Sequence, residues 1–204
     1  SVKAVLINER KEILENHYVR SHGQPVETFL LVLKDMFNRT HIDDIDGIAI
    51  TGTGGKFVSE LMNIAFVNEV VAHSTATTTL YPEVRTVIEI GGEDSKLMLI
   101  ERDSSTQQTK VSDFSMNTMC AAGTGSFLDQ QATRLGVAIE KEFGELALKS
   151  KNPPRIAGRC SVFAKTDMIH LQQEGTPVFD IVAGLCYAMA RNFKSNIGKG
   201  KEFL

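Results

Sequence analysis

The chain has 204 residues, enough for one large domain or two small ones around a sizeable core. Its net charge of −3 argues against nucleic acid as a main partner, no apolar run approaches the ~18–20 residues of a membrane span, and no charged-then-apolar signal peptide opens it. Three cysteines, far apart in sequence, favour a reducing compartment, by default the cytoplasm, with thiols free or metal-bound.

In chain order, residues 1–8 read as a strand, 9–11 as a hairpin turn and 12–20 as a second strand. Gln24 to Asn38 has helical spacing, with Val26, Phe29, Leu30, Leu33 and Phe37 on one face. The short apolar run from Asp46 to Thr51 predicts a buried parallel strand. Gly52-Thr53-Gly54-Gly55 follows it and precedes a helical stretch from Lys56 to Ala65. That architecture suits a phosphate loop and equally an ordinary α/β corner. The Gly-Lys-Ser/Thr of a P-loop does not follow. Residues 67–71 could form a short strand and 72–81 a helix. His73 reads as a structural residue, since no second histidine sits at metal-binding spacing.

Residues 86–101 carry a stronger signal. A strand runs into Gly91-Gly92 and a second strand leaves it, with Glu89, Glu93, Asp94, Ser95 and Lys96 around the turn. Glycines let a backbone approach a phosphate and offer N–H groups to it, and carboxylates suit Mg²⁺. The plainer reading is a hairpin with a Gly-Gly bulge and solvated charges. A polar loop (103–109) and an edge strand (110–114) follow.

The segment Met116 to Asp129 organises the rest. It places Cys120 three residues before Gly123-Thr124-Gly125, and the turn opens into a helix that stops at Gly136. Ser126 with Asp129 resembles a capping box. A small-residue loop at a helix N-terminus is an anion site; the same pattern also describes a glycine-rich turn beside a buried cysteine. Residues 138–150 read as a solvated helix, and Pro153-Pro154 as a break. Cys160 repeats the theme of a cysteine leading a helix, here from Phe163 to Gln173 and stopped at Gly175. Residues 177–196 form a long helix with Val178, Ile181, Val182, Leu185, Met189 and Phe193 as its stripe. Cys186 lies in that apolar run and reads as core.

Helix N-termini favour thiolate, the form that binds metal, and a [4Fe–4S] cluster normally takes four cysteines. Two chains, each giving Cys120 and Cys160, would supply four across a two-fold axis. Spacing alone leaves open that these are simply two cysteines.

Three linked segments carry a resemblance: 88–96 (Ile-Glu-Ile-Gly-Gly-Glu-Asp-Ser-Lys), 116–128 around Cys120, and 160–167 (Cys-Ser-Val-Phe-Ala-Lys-Thr-Asp), with Asn68-Glu69 and Ala72-His73 in support. Over nearly the whole chain, in order, the sequence resembles the ATP-dependent activators of 2-hydroxyacyl-CoA dehydratases, grouped with the ATPase subunits of benzoyl-CoA reductase. The resemblance implies an α/β, ribonuclease H-like fold of the actin/Hsp70/hexokinase type in two lobes, expected at residues 1–85 and 86–204. It implies an ATPase that passes a low-potential electron to a 2-hydroxyacyl-CoA dehydratase or related reductase. It implies a homodimer sharing one [4Fe–4S] cluster on Cys120 and Cys160, with ATP or ADP and Mg²⁺ in the cleft. By the match, Glu89 is catalytic, and Lys3, Gly91, Gly92, Glu93, Asp94, Ser95, Lys96, Gly123, Thr124 and Gly125 bind nucleotide. The family's opening Asp-x-Gly-Ser/Thr turn would fall around Ser1-Val2-Lys3 and its adenosine glycine pair after Leu204. The chain is therefore expected to be a piece of a longer member that binds nucleotide less well alone. A sugar-type kinase of the same superfamily, or a non-catalytic nucleotide-sensing module, are the competing readings.

Overall fold

The computed structural model describes residues 1–103, 105, 109–117 and 121–203, Ala121 by its backbone alone. It divides into two compact units, Ser1–Thr75 and Ala76–Leu204. Among the described residues no helix is long and apolar enough to cross a membrane.

In the first unit, β1 (Val2–Ile7) and β2 (Ile13–Val19) form an antiparallel hairpin in which Val2 pairs with Val19. The Asn8 side chain closes the turn by accepting the N–H groups of Arg10 and Glu12, and Lys11 takes a positive φ of 63°. The helix α1 (Pro25–Phe37) opens on Pro25, whose missing N–H has no partner to lose there. Its buried line is Thr28, Val32 and Met36. The expected stripe is thus rotated: Leu30 and Leu31 face solvent, while Phe29, Leu33 and Phe37 flank the buried line.

β3 (Ala49–Ile50) and β4 (Ala65–Phe66) are parallel and are joined through α2 (Gly55–Met62). The run at 46–51 is parallel, as its pattern predicts, but not a buried strand. Only two residues pair and Ala49 is exposed. The strand expected at 67–71 is likewise displaced. Pairing ends at Phe66, and α3 (Glu69–Leu80) starts where Asn68 Oδ1 accepts the Val70 N–H at 2.9 Å. A local cap wins over β propensity.

The second unit is built on one antiparallel sheet, β5 (Thr86–Ile90), β6 (Ser95–Arg102) and β7 (Thr109–Met116), with β6 central. Burial of Ser95, Lys96, Leu97 and Met98 in succession shows both faces of β6 covered. Four helices follow: α4 (Gly125–Leu135), α5 (Phe143–Lys149), α6 (Ser161–Gln173) and α7 (Val178–Phe193). A π-helical turn, Lys194–Gly198, extends α7. Phe127, Phe143, Met168, Ile181, Val182 and Leu185 share one core. Each such side chain contributes about 1.5–3 kcal/mol on burial. Phe143 corrects the reading of 138–150 as a solvated face: the helix is shorter and its first residue is core. A second cluster, Leu97, Phe193 and Ile197, seats the end of α7 with β6.

Candidate functional site

The Gly91-Gly92 turn sits on the tip of α4. Gly91 N–H donates to the Asp94 carbonyl at 2.8 Å, closing the hairpin between β5 and β6. In return, Gly125 N–H donates to the Gly91 carbonyl at 2.8 Å and Ser126 N–H to the Gly92 carbonyl at 3.0 Å. The Ser126 hydroxyl also donates to the Gly92 carbonyl. That overturns the capping-box expectation. The residue flanking α4 is Thr124, without a side-chain cap, and Ser126 is used to dock the turn instead. Glycine is favoured at 125 because an added methyl would lie 3.0 Å from the Gly91 carbonyl oxygen.

Beneath the turn, Lys96 is 2% exposed. Its Nζ lies 2.9 Å from Glu89 Oε2 and 2.6 Å from Asp94 Oδ1. Glu89 and Lys96 are directly paired across β5 and β6, so the ion pair is set by register. The three charges sum to −1 at the foot of the glycine turn, a disposition that suits Mg²⁺ held through waters. Gly92 and Glu93 are exposed at the tip.

The structure brings together Glu89, Gly91, Gly92, Glu93, Asp94, Ser95, Lys96, Gly123, Thr124 and Gly125. Ser95 Oγ, fully buried, donates to the Gly123 carbonyl at 2.6 Å, and Thr124 is buried beside it. Lys3 belongs to the first unit, exposed on β1 with its ammonium 5.8 Å over the Tyr18 ring. Cys120 lies outside the described residues.

Cys160 stands at the N-cap position of α6, without a side-chain cap, with extended backbone (φ −134°, ψ 125°) and a partly buried free thiol. Val162 and Phe163 stand exposed just behind it. A thiol at a helix N-terminus suits a metal-bound thiolate, so Cys160 fits a cluster ligand. Cys186 packs half-buried against the core, and burial pushes its thiol pKa up.

Pattern reading missed Asn192. It is 1% exposed on the core face of α7, in line with Leu185 and Ala188, and its Nδ2 donates to the Gly158 carbonyl. The available signal was a polar residue in phase with an apolar stripe. Asn117, whose N–H donates to the Ser95 carbonyl at 2.9 Å, was missed too.

The glycine hairpin docks its carbonyls on the tip of α4, above the Glu89–Lys96–Asp94 cluster, and the fold is that of the actin-like ATPases. The chain belongs to the BadF/BadG/BcrA/BcrD ATPase family, which it matches over residues 1–202. It is 30% identical to the 2-hydroxyisocaproyl-CoA dehydratase activator of Clostridioides difficile over 195 residues, 95% of this chain and 70% of that protein. Among solved structures it is similar to component A of the (R)-2-hydroxyglutaryl-CoA dehydratase of Acidaminococcus fermentans. There the TM-score is 0.85 at 28% identity, covering 99% of this chain and 75% of that one. It is also similar to the Clostridium difficile activator of 2-hydroxyisocaproyl-CoA dehydratase with bound ADPNP. That match has a TM-score of 0.77 at 28% identity, covering 95% of this chain and 69% of that one.

Proposed function

We propose that this chain forms the core of an ATP-driven activator that delivers a low-potential electron to a 2-hydroxyacyl-CoA dehydratase or a related reductase. One observation carries the reading: the glycine turn that suits phosphate is hydrogen-bonded to the same helix tip that Cys120 leads into. Movement of the turn on nucleotide binding is therefore movement of that tip. Relatives bear activator names, and the 2-hydroxyisocaproyl-CoA dehydratase activator was solved with bound ADPNP.

Gly91 and Gly92 would let the backbone approach the phosphates, and Glu93 and Asp94 would hold Mg²⁺ through water. Lys96 keeps Glu89 and Asp94 in place. Glu89 would orient the attacking water and accept its proton as the bond between the β,γ-bridging oxygen and the γ-phosphorus breaks.

Cys120 and Cys160, doubled across a homodimer, would hold a [4Fe–4S] cluster. When bound, such a cluster supplies a one-electron donor whose potential responds to exposure and hydrogen bonding. The free thiols of Cys160 and Cys186 suit a reducing cytoplasm.

The test is anaerobic reconstitution of the full-length protein, with iron, sulfide and ATP hydrolysis assayed. Iron and sulfide bound to wild type but absent from Cys120→Ser and Cys160→Ser support the reading. A colourless wild-type protein, or one that phosphorylates a sugar, would remove it.

A further inference from the structure

We infer that Asn192 is a positioning residue that fixes the two cysteine-bearing segments in one geometry, an inference that rests on the reading just given. Three contacts meet at its amide. Nδ2 donates to the carbonyl of Gly158, two residues before Cys160. Oδ1 stands against Gly123, three residues after Cys120, so closely that a methyl there would lie 2.6 Å from it. Oδ1 also accepts from Asn196 Nδ2 at 3.2 Å, in the π-helical turn that continues α7. The amide orientation is fixed chemically, because the Gly158 carbonyl can only accept.

The segment that leads to Cys160 is pressed along α7 up to this contact. Methyls at Gly158 and Gly184 would lie 2.6 Å from the Ala188 carbonyl and 2.7 Å from the Pro154 carbonyl. Arg191 Nη2 donates to the Ile156 carbonyl at 2.6 Å. Gly123 is held from its other side by Ser95. A continuous line of contacts therefore runs from the hairpin, through Ser95, Gly123 and Asn192, to Gly158. A buried amide on an apolar helix face is costly unless its groups are met. Here Nδ2 is met by the Gly158 carbonyl and Oδ1 by Asn196, with Gly123 packed against Oδ1. Asn192→Asp keeps the side-chain shape and loses only the donor, and Asn192→Leu removes donor and acceptor together.

The test compares Asn192→Leu and Asn192→Asp with Phe143→Leu, a core change in the same unit chosen as a match in urea midpoint. All are made in the full-length protein with Cys186→Ala. Groups that orient metal ligands typically cost 10–100-fold in metal affinity when removed. Chelator-driven iron release from the reconstituted Asn192 variants is therefore expected to be roughly tenfold or more faster than wild type. Phe143→Leu is expected to stay near the wild-type rate. In metal-free protein, iodoacetamide alkylation of Cys160 is expected to change severalfold in the Asn192 variants only. Iron release and alkylation that follow the urea midpoint alike in all variants overturn the positioning role. Wild type that takes up no iron overturns the cluster reading instead. Alkylation of the metal-free protein then still decides Asn192: a wild-type rate in both its variants sinks it.

Discussion

Ser95 and Gly123 are joined by a buried hydrogen bond, the serine hydroxyl donating to the glycine carbonyl at 2.6 Å across 28 residues of sequence. Ser95 is the first residue of β6 after the glycine turn, and Gly123 leads into α4. The bond thus ties the hairpin to the loop that follows Cys120.

Ser95→Ala leaves that carbonyl without this donor in a site water does not reach. Such a loss costs about 1–3 kcal/mol. The expected result is a lower urea midpoint with an unchanged slope, since the unfolded chain exposes the same surface. Nucleotide affinity of the full-length protein should fall as well. An alanine variant with wild-type stability would mean that the hydroxyl is not used in this way.

Lys96→Met removes the ammonium shared by Glu89 and Asp94. Losing one partner of a buried ion pair costs about 3–5 kcal/mol. The carboxylates keep 19% and 26% exposure, so solvent screens the charge left behind and the lower end of that range is expected. ATP hydrolysis should fall further than nucleotide binding, because Glu89 loses its fixed position. Hydrolysis at the wild-type rate in a folded Lys96→Met protein would release Glu89 from the proposed role.

The strand–glycine–strand signal at 86–101 and the helices after the Gly123-Thr124-Gly125 turn and after Cys160 were legible because each depends on a local pattern: alternation, Gly-Gly, and a helical stripe with a glycine stop; the second helix starts at Ser161, two residues before the expected Phe163. The roles of single polar residues were not. Ser126 looked like a cap because spacing favours a capping box, yet its hydroxyl goes to Gly92, 34 residues away. Asn192 drew no reading from pattern, and its meaning comes from Gly123 and Gly158, which only the fold brings to it. Lys96 read as a phosphate ligand by position, whereas the register of β5 and β6 commits it to two carboxylates. Long-range partners are set by tertiary packing, which no window of sequence contains.

Cys186 sets an alkaline limit on stability. Burial raises its pKa above the ordinary 9.0, so above about pH 9 the unfolded chain releases this proton more readily than the folded one. Unfolding then releases a proton, and stability falls as pH rises. Below pH 9 both states keep the proton and the effect vanishes. Cys186→Ala should flatten the stability profile above pH 9 and leave its shape at neutral pH unchanged, as read by urea midpoints across pH 7 to 10. An unchanged alkaline slope would assign that loss to another group.

Gly125 and Gly136 bound the same helix and are glycines for different reasons. Gly136 ends α4 at a φ of 69° with open space around its Cα. An alanine there meets only the conformational cost of the left-handed region, about 1–2 kcal/mol. Gly125 has no positive φ but has the Gly91 carbonyl oxygen 3.0 Å from where a methyl would stand, with Gly92 Cα at 3.7 Å. Those neighbours are backbone, so they yield only if the turn and the helix tip part. Gly125→Ala should cost about 1–3 kcal/mol through overpacking. It should also weaken binding of a fluorescent ADP analogue to the full-length protein, whereas Gly136→Ala should bind it as wild type does. If both variants bound the analogue alike, the docking of the glycine turn on α4 would have no part in holding nucleotide, and the path from phosphate to Cys120 would lose its first step.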